Sequence, residues 1–148
     1  MLRAQVLEQV GHADRALVLA TTLLKSKHLT ISQRSEYEAI VGKILFEEGD
    51  AEVGLGHLQR AALAGQQVTD LHAMFGAKLF IFLIVSERSG PAAGSSVLAD
   101  LRQIATKLGD PEVTARLHLY VAQAEARRGV IDYRVSAERR ERRAPATR

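Results

Sequence analysis

Five histidines, seventeen carboxylates and no cysteine are the material for chemistry in this 148-residue chain. His12, His28, His57, His72 and His118 never stand three or four residues apart, the spacing that puts two ligands on one helix face. No His-Glu-x-x-His run occurs. A metal site would need convergence from distant stretches, so these histidines are expected on helix surfaces or half buried. Without cysteine there are no disulfides, no thiolate catalysis and no Cys-based zinc sites. Gly54-Leu55-Gly56 lacks the third glycine and the preceding strand of a dinucleotide loop. Gly90-Pro91-Ala92-Ala93-Gly94-Ser95-Ser96 has no lysine after its second glycine, so it reads as a turn and helix start rather than a phosphate loop. No serine sits in a Gly-x-Ser-x-Gly elbow. Glu47, Glu48, Asp50 and Glu52 cluster at one turn. Paired carboxylates can transfer protons, but acidic residues at a helix start are ordinary partners of the helix dipole. No catalytic residue, metal ligand or cofactor is predicted, and the chain reads as a binding protein rather than an enzyme.

The elements that would position any binding residue are helices. Hydrophobic residues make up 47% of the chain and aromatic ones only 5%, with Ala and Leu abundant, which favours helices packed through small side chains. Leu2, Val6, Leu7 and Val10 fall at helical spacing before Gly11, and Ala13, Ala16, Leu17, Ala20, Leu23 and Leu24 form the next stripe. Thr30-Ile31-Ser32-Gln33 has the form of a capping box opening a helix to Glu48. Gly49 stops that helix, Asp50 caps the next, and Gly65 is expected to end it. Asp70 can cap a helix running to Arg88, its end marked by Ser89-Gly90-Pro91, and Pro91 suits the first position of the helix that continues to Leu108. Gly109-Asp110-Pro111-Glu112 separates this from a helix through Arg128. Gly129 is expected to break the chain once more, before a last helix over 130–143. Residues 144–148 read as a disordered tail.

Leu71 to Arg88 is the most apolar stretch, and Leu79 to Val85 contains no polar side chain. Lys78 interrupts it and Glu87 and Arg88 close it, short of the roughly 20 apolar residues of a membrane span. The run Leu79 to Val85 alone has the form of a buried strand, but the apolar character extends back through Met74 and Phe75. A helix apolar all round is expected at the centre, covered on several sides.

Aligning Gly11, Gly49, Gly90 and Gly129 gives steps of 38, 41 and 39 residues, each holding two helices and a turn. A helical-hairpin period of this size predicts a solenoid. The unit from Tyr37 to Leu63 resembles the tetratricopeptide family: Gly42 stands at the small position of the first helix, Gly49 at the turn, and Gly54 and Ala61 at the small positions of the second. Ala4, Gly11 and Ala16 match in the first unit, and Ala122 and Gly129 in the fourth. The third unit departs, with Leu83 and Arg102 at small positions, and the period exceeds the family's usual ~34 residues. The longer period is similar to the repeat regions of large bacterial regulators. The resemblance implies an all-α right-handed solenoid of about three and a half hairpins over residues 1–143, a slice of a longer array.

In such arrays the first helix of each pair lines a concave groove. The resemblance therefore places Glu36, Lys43 and Glu47, then Ile84 and Arg88, then Arg116, Tyr120, Gln123 and Arg127 on a partner-binding face. The last four imply a cationic patch suited to an acidic peptide or a C-terminal carboxylate. The resemblance further implies a non-catalytic interaction scaffold within a transcriptional or signalling regulator, able to self-associate through uncapped ends.

The net charge of +3 is unevenly distributed. From Arg127 onward, eight arginines face Asp132, Glu138 and Glu141, a balance of +5, and the remaining 126 residues carry −2. Arg134, Arg139, Arg140, Arg142 and Arg143 offer an alternative function, contact with nucleic acid, although interleaved glutamates also suit a solvated helix. Arg3, Glu8, Asp14 and Arg15 interrupt any secretory h-region, so the expected location is the cytoplasm, with no membrane partner.

Overall fold

The computed structural model of the chain describes residues 12–143. The helix expected over Leu2 to Val10 and the tail 144–148 lie outside the described residues. The described residues form six helices: α1 (Ala13–Leu24), α2 (Ile31–Glu47), α3 (Ala51–Gln67), α4 (Leu71–Ser89), α5 (Pro91–Leu108) and α6 (Pro111–Arg143). No strand occurs among the described residues.

The capping chemistry sets most boundaries. The Thr30 hydroxyl accepts from the Gln33 amide while the Gln33 side chain accepts from the Thr30 amide, a closed capping box. Asp50 and Asp70 accept from the amides of Val53 and Ala73, and Asp110 Oδ1 accepts from the Glu112 amide. Arg34 of α2 donates to the carbonyls of Leu24 and Ser26, satisfying acceptors left over at the end of α1. At the end of α2, Gly49 adopts φ +94°, with the Asp50 amide bonded to Leu45 O and the Gly49 amide to Phe46 O. This is a Schellman closure, and glycine suits its left-handed position.

Two glycines behave otherwise than the sequence predicts. Gly65 does not end α3; the helix continues to Gln67. Gly65 is instead a contact point with α4, where a Cβ would lie 3.2 Å from the Met74 side chain and 3.3 Å from its amide nitrogen. The Schellman closure falls four residues later, with Asp70 N–H bonded to Gly65 O and Thr69 N–H to Gln66 O, and Thr69 takes the left-handed conformation at φ +56°. Nor does Gly129 break the chain. α6 runs unbroken for 33 residues, so the expected separate last helix is a continuation of α6. A single glycine costs a helix about 1 kcal/mol but does not stop it without a turn to close. The Arg-, Glu- and Ala-rich sequence beyond it is helix-forming, and Arg128 pairs with Asp132 across the glycine.

Among the described residues the helices stack in two layers. α4 touches both α2 and α6, forming one row, while α1, α3 and α5 each pack on members of that row and not on one another. The α2–α3 crossing depends on facing glycines. A Cβ on Gly42 would meet Leu58 Cγ at 2.7 Å and the Gly54 carbonyl at 2.8 Å. In the α4–α5 pair the close approach lies at Gly94, against Ser86 and Phe82, away from Leu83 and Arg102.

α4 is buried on several sides, as its composition predicts. Phe75, Leu79 and Phe82 pack with Leu101, Ile104, Ala105, Val113 and Leu117 of α5 and α6. Ile81 and Ile84 pack with Leu58 of α3. A third cluster, around Ala16, Ala20, Tyr37, Val41 and Ile44, joins α1 to α2. Among the described residues no helix is long and apolar enough to cross a membrane.

Candidate partner-binding face

All seven aromatic residues lie on α2, α4 and α6: Tyr37 and Phe46, Phe75, Phe80 and Phe82, then Tyr120 and Tyr133. Three of them form a strip across the row. Phe46 and Phe80 meet edge-to-face with ring centroids 6.4 Å apart, and Phe80 meets Tyr120 in the same way at 5.6 Å. The geometry suits the ring quadrupoles, positive edge to negative face. All three rings are half buried, so one side of the strip remains open. Two cations lie on it: Lys43 Nζ is 5.6 Å from the Phe80 centroid, and Arg127 Cζ is 5.3 Å from that of Phe46.

At the Phe46 end the strip opens into a notch of about 240 Å³, lined by Phe46, Glu47, Gly49, Ala51, Ile84, Glu87, Arg88 and Arg127. Its arginines are engaged within the chain. Arg127 pairs with Glu87 at 3.3 Å, and Arg88 with Glu52 at 3.6 Å. These are exposed pairs in high dielectric, which hold side chains in place more than they stabilise the fold.

The residues expected on the groove are thus distributed unevenly. Glu47, Ile84, Arg88 and Arg127 converge on the notch, with Ile84 buried beneath it. Lys43 and Tyr120 belong to the strip. Gln123 is half buried on α6 between Tyr120 and Arg127. Arg116, three turns below Arg127 on α6, pairs with Glu112 at 3.8 Å and does not line the notch. The expected cationic patch is therefore a set of arginines each already facing a carboxylate. Glu36 lies three turns from Glu47, near the start of α2. Its Oε2 is buried without a hydrogen-bond partner. Burial first, and the Asp70 carboxylate second, push its pKa above the usual glutamate value. Arg134, Arg139, Arg140, Arg142 and Arg143 are all exposed on the last turns of α6.

Sequence reasoning missed Phe46 and Phe80 as site residues, although the confinement of aromatics to alternate helices was visible. It also missed a polar cluster between α2 and α3, centred on a buried carboxylate. Glu38, only 6% exposed, accepts from Arg60 Nε at 3.1 Å and lies 2.6 Å from His57 Nδ1. Arg60 Nη2 also lies 2.9 Å from His57 Nδ1, so the three side chains form one connected cluster. The cluster clips the two helices together where Gly42 and Gly54 bring them close. Among the described residues no group of three His, Asp or Glu side chains could hold a metal ion.

Comparison with protein-family models, with curated proteins and with solved structures finds no match to this chain.

Proposed function

We propose that the chain is a non-catalytic protein-interaction scaffold, a right-handed solenoid of tetratricopeptide-like hairpins serving as the repeat region of a bacterial regulator. Its partner is a peptide lying across α2, α4 and α6. The observation that carries this reading is the Phe46–Phe80–Tyr120 strip. Three helices far apart in sequence contribute one half-exposed ring each, in contact, on one face. Large rings left partly open on a rigid support contribute contact area without the ordering cost of flexible side chains, and aromatic residues dominate interface energetics for that reason. The two-layer stack and the glycine crossing at Gly42 and Gly54 support the solenoid reading.

The ions flanking the strip constrain the partner. A partner carboxylate at Arg127 would compete with Glu87, whereas a partner cation entering the notch would meet Glu47. The peptide best suited to this face has apolar side chains for the strip and a basic residue at its notch end.

Panning a peptide library on the wild-type chain, with Phe80→Ser as counter-selection, tests the reading. The expected result is an enriched class of apolar peptides with a basic residue. Removing a central aromatic contact should weaken their binding by about 2 kcal/mol, roughly 30-fold. Peptides that bind Phe80→Ser equally well would move the site elsewhere.

A further inference from the structure

The continuation of α6 past Gly129 has a consequence for assembly. From Asp132 to Arg143 the helix is exposed along nearly its whole length, and none of these residues belongs to a hydrophobic cluster of the described chain. Arg134, Arg139, Arg140, Arg142 and Arg143 project from it, and none is paired with an acidic residue of the described chain. The notch at the end of the aromatic strip holds charges of both signs, but its arginines are matched: Arg127 pairs with Glu87 and Arg88 with Glu52, so the acidic charge left over is that of the Glu47 end. Glu47 lines it and Glu48 adjoins it; both are exposed, and neither has an ion-pair partner among the described residues. One arginine of α6 is already seated there. Arg127 lies over Phe46 and pairs with Glu87, so the notch is built to hold a guanidinium between an aromatic face and a carboxylate.

We infer that the arginine-rich arm of α6 docks at the acidic notch of a second copy of the chain. The arm's own notch is out of reach. α6 does not bend back at Gly129, and Arg139 to Arg143 lie about 18–24 Å beyond Arg127 along the helix. A second copy meets no such limit. The charge balance of the chain, +5 from Arg127 onward and −2 before it, matches arm to body. Arm and notch are different surfaces, so the contact is head-to-tail and propagates into chains or closes into rings. It is a small, polar contact, formed at high protein concentration and weakened by salt. The inference extends the proposed docking face by naming one occupant of its notch, and it shares only that end of the face with the peptide reading.

Sedimentation velocity on the full chain tests it, at about 0.05 M and about 0.5 M salt over a wide concentration range. The expected result is concentration-dependent association at low salt that disappears at high salt. Arg139→Glu/Arg140→Glu and Glu47→Lys/Glu48→Lys should each be monomeric alone. Mixed together they should associate again, because the reversed arm then meets the reversed notch. That rescue also answers any concern that a charge reversal has damaged the fold. Phe80→Ser should associate like the wild type, so peptide capture that Phe80→Ser leaves unchanged, with association intact, would sink the strip reading and spare this one. A wild-type chain that stays monomeric at low salt overturns the inference, as does association that survives both reversals. A monomeric chain that instead binds an oligonucleotide through the same arginines, with a steep salt slope, assigns the arm to nucleic acid and overturns it too.

Discussion

At the scale of single residues, α2 carries one carboxylate in an unfavourable setting. Glu36 has a buried, unsatisfied oxygen, and desolvation together with Asp70 raises its pKa above the value of 4.5 for a free glutamate. The native state therefore holds its proton to higher pH than the unfolded chain does. Between the two pKa values the native state binds more protons, so stability falls as pH rises through that window and stays lower above it. Glu36→Gln should accordingly raise the thermal midpoint at pH 7. The gain should shrink towards zero below pH 4.5, where the carboxyl is protonated in both states. An equal gain at both pH values would show that packing, not ionisation, is responsible. Glu38, on the same helix, is more deeply buried yet better matched, because Arg60 donates to its Oε1 and His57 lies against its Oε2, whereas Glu36 Oε2 has no hydrogen-bond partner.

At the scale of elements, the α2–α3 pair depends on two glycines whose purpose is proximity rather than conformational freedom. Neither Gly42 nor Gly54 has a positive φ, and both are buried within helices. The methyl group of Gly42→Ala would meet the backbone carbonyl of Gly54, which cannot rotate away, and this should cost about 1–3 kcal/mol. Gly56, two residues along α3, has only the flexible end of Arg60 nearby, at 3.7 Å. Gly56→Ala should raise stability by about 1 kcal/mol through helix propensity. Urea titration of the two variants checks the opposite signs. The same distinction explains Gly65, whose packing against Met74 leaves the helix end to Thr69.

At the scale of the whole molecule, α4 ties the array together. One side of it packs on α5 and α6, another on α3, and its contact with α2 links it to the element that carries the α1–α2 cluster. Leu79 is 1% exposed in the larger cluster. Leu79→Ala should destabilise the chain by about 2–5 kcal/mol, transfer and cavity contributions together. The loss should appear as one transition, with hydrogen exchange accelerating to the same extent in the cores of α2 and α5. Exchange that rises in α5 alone would mean that the hairpins unfold independently, as a weakly coupled array can.

Much of this architecture is legible in the sequence because its determinants are local. Thr30-Gln33, Asp50, Asp70, Gly49, Pro91 and Gly109-Asp110-Pro111 mark boundaries through hydrogen bonds that span only a few residues. The all-round apolarity of Leu71 to Arg88 determines that this helix must be enclosed, whatever encloses it. What the sequence leaves open is non-local. A glycine that ends a helix and one that admits a neighbouring helix are the same letter, and only the position of Met74 distinguishes Gly65 from Gly49. The fate of Gly129 depends on whether a turn can close there, and the tertiary structure supplies none. Helical spacing puts Arg88, Arg116 and Arg127 on the proposed face, but their charge partners come from elsewhere: Glu52 on α3, Glu112 one turn away and Glu87 on α4. The aromatic strip arises only when α2, α4 and α6 lie side by side, because ring contact requires spatial adjacency that no spacing within one helix encodes.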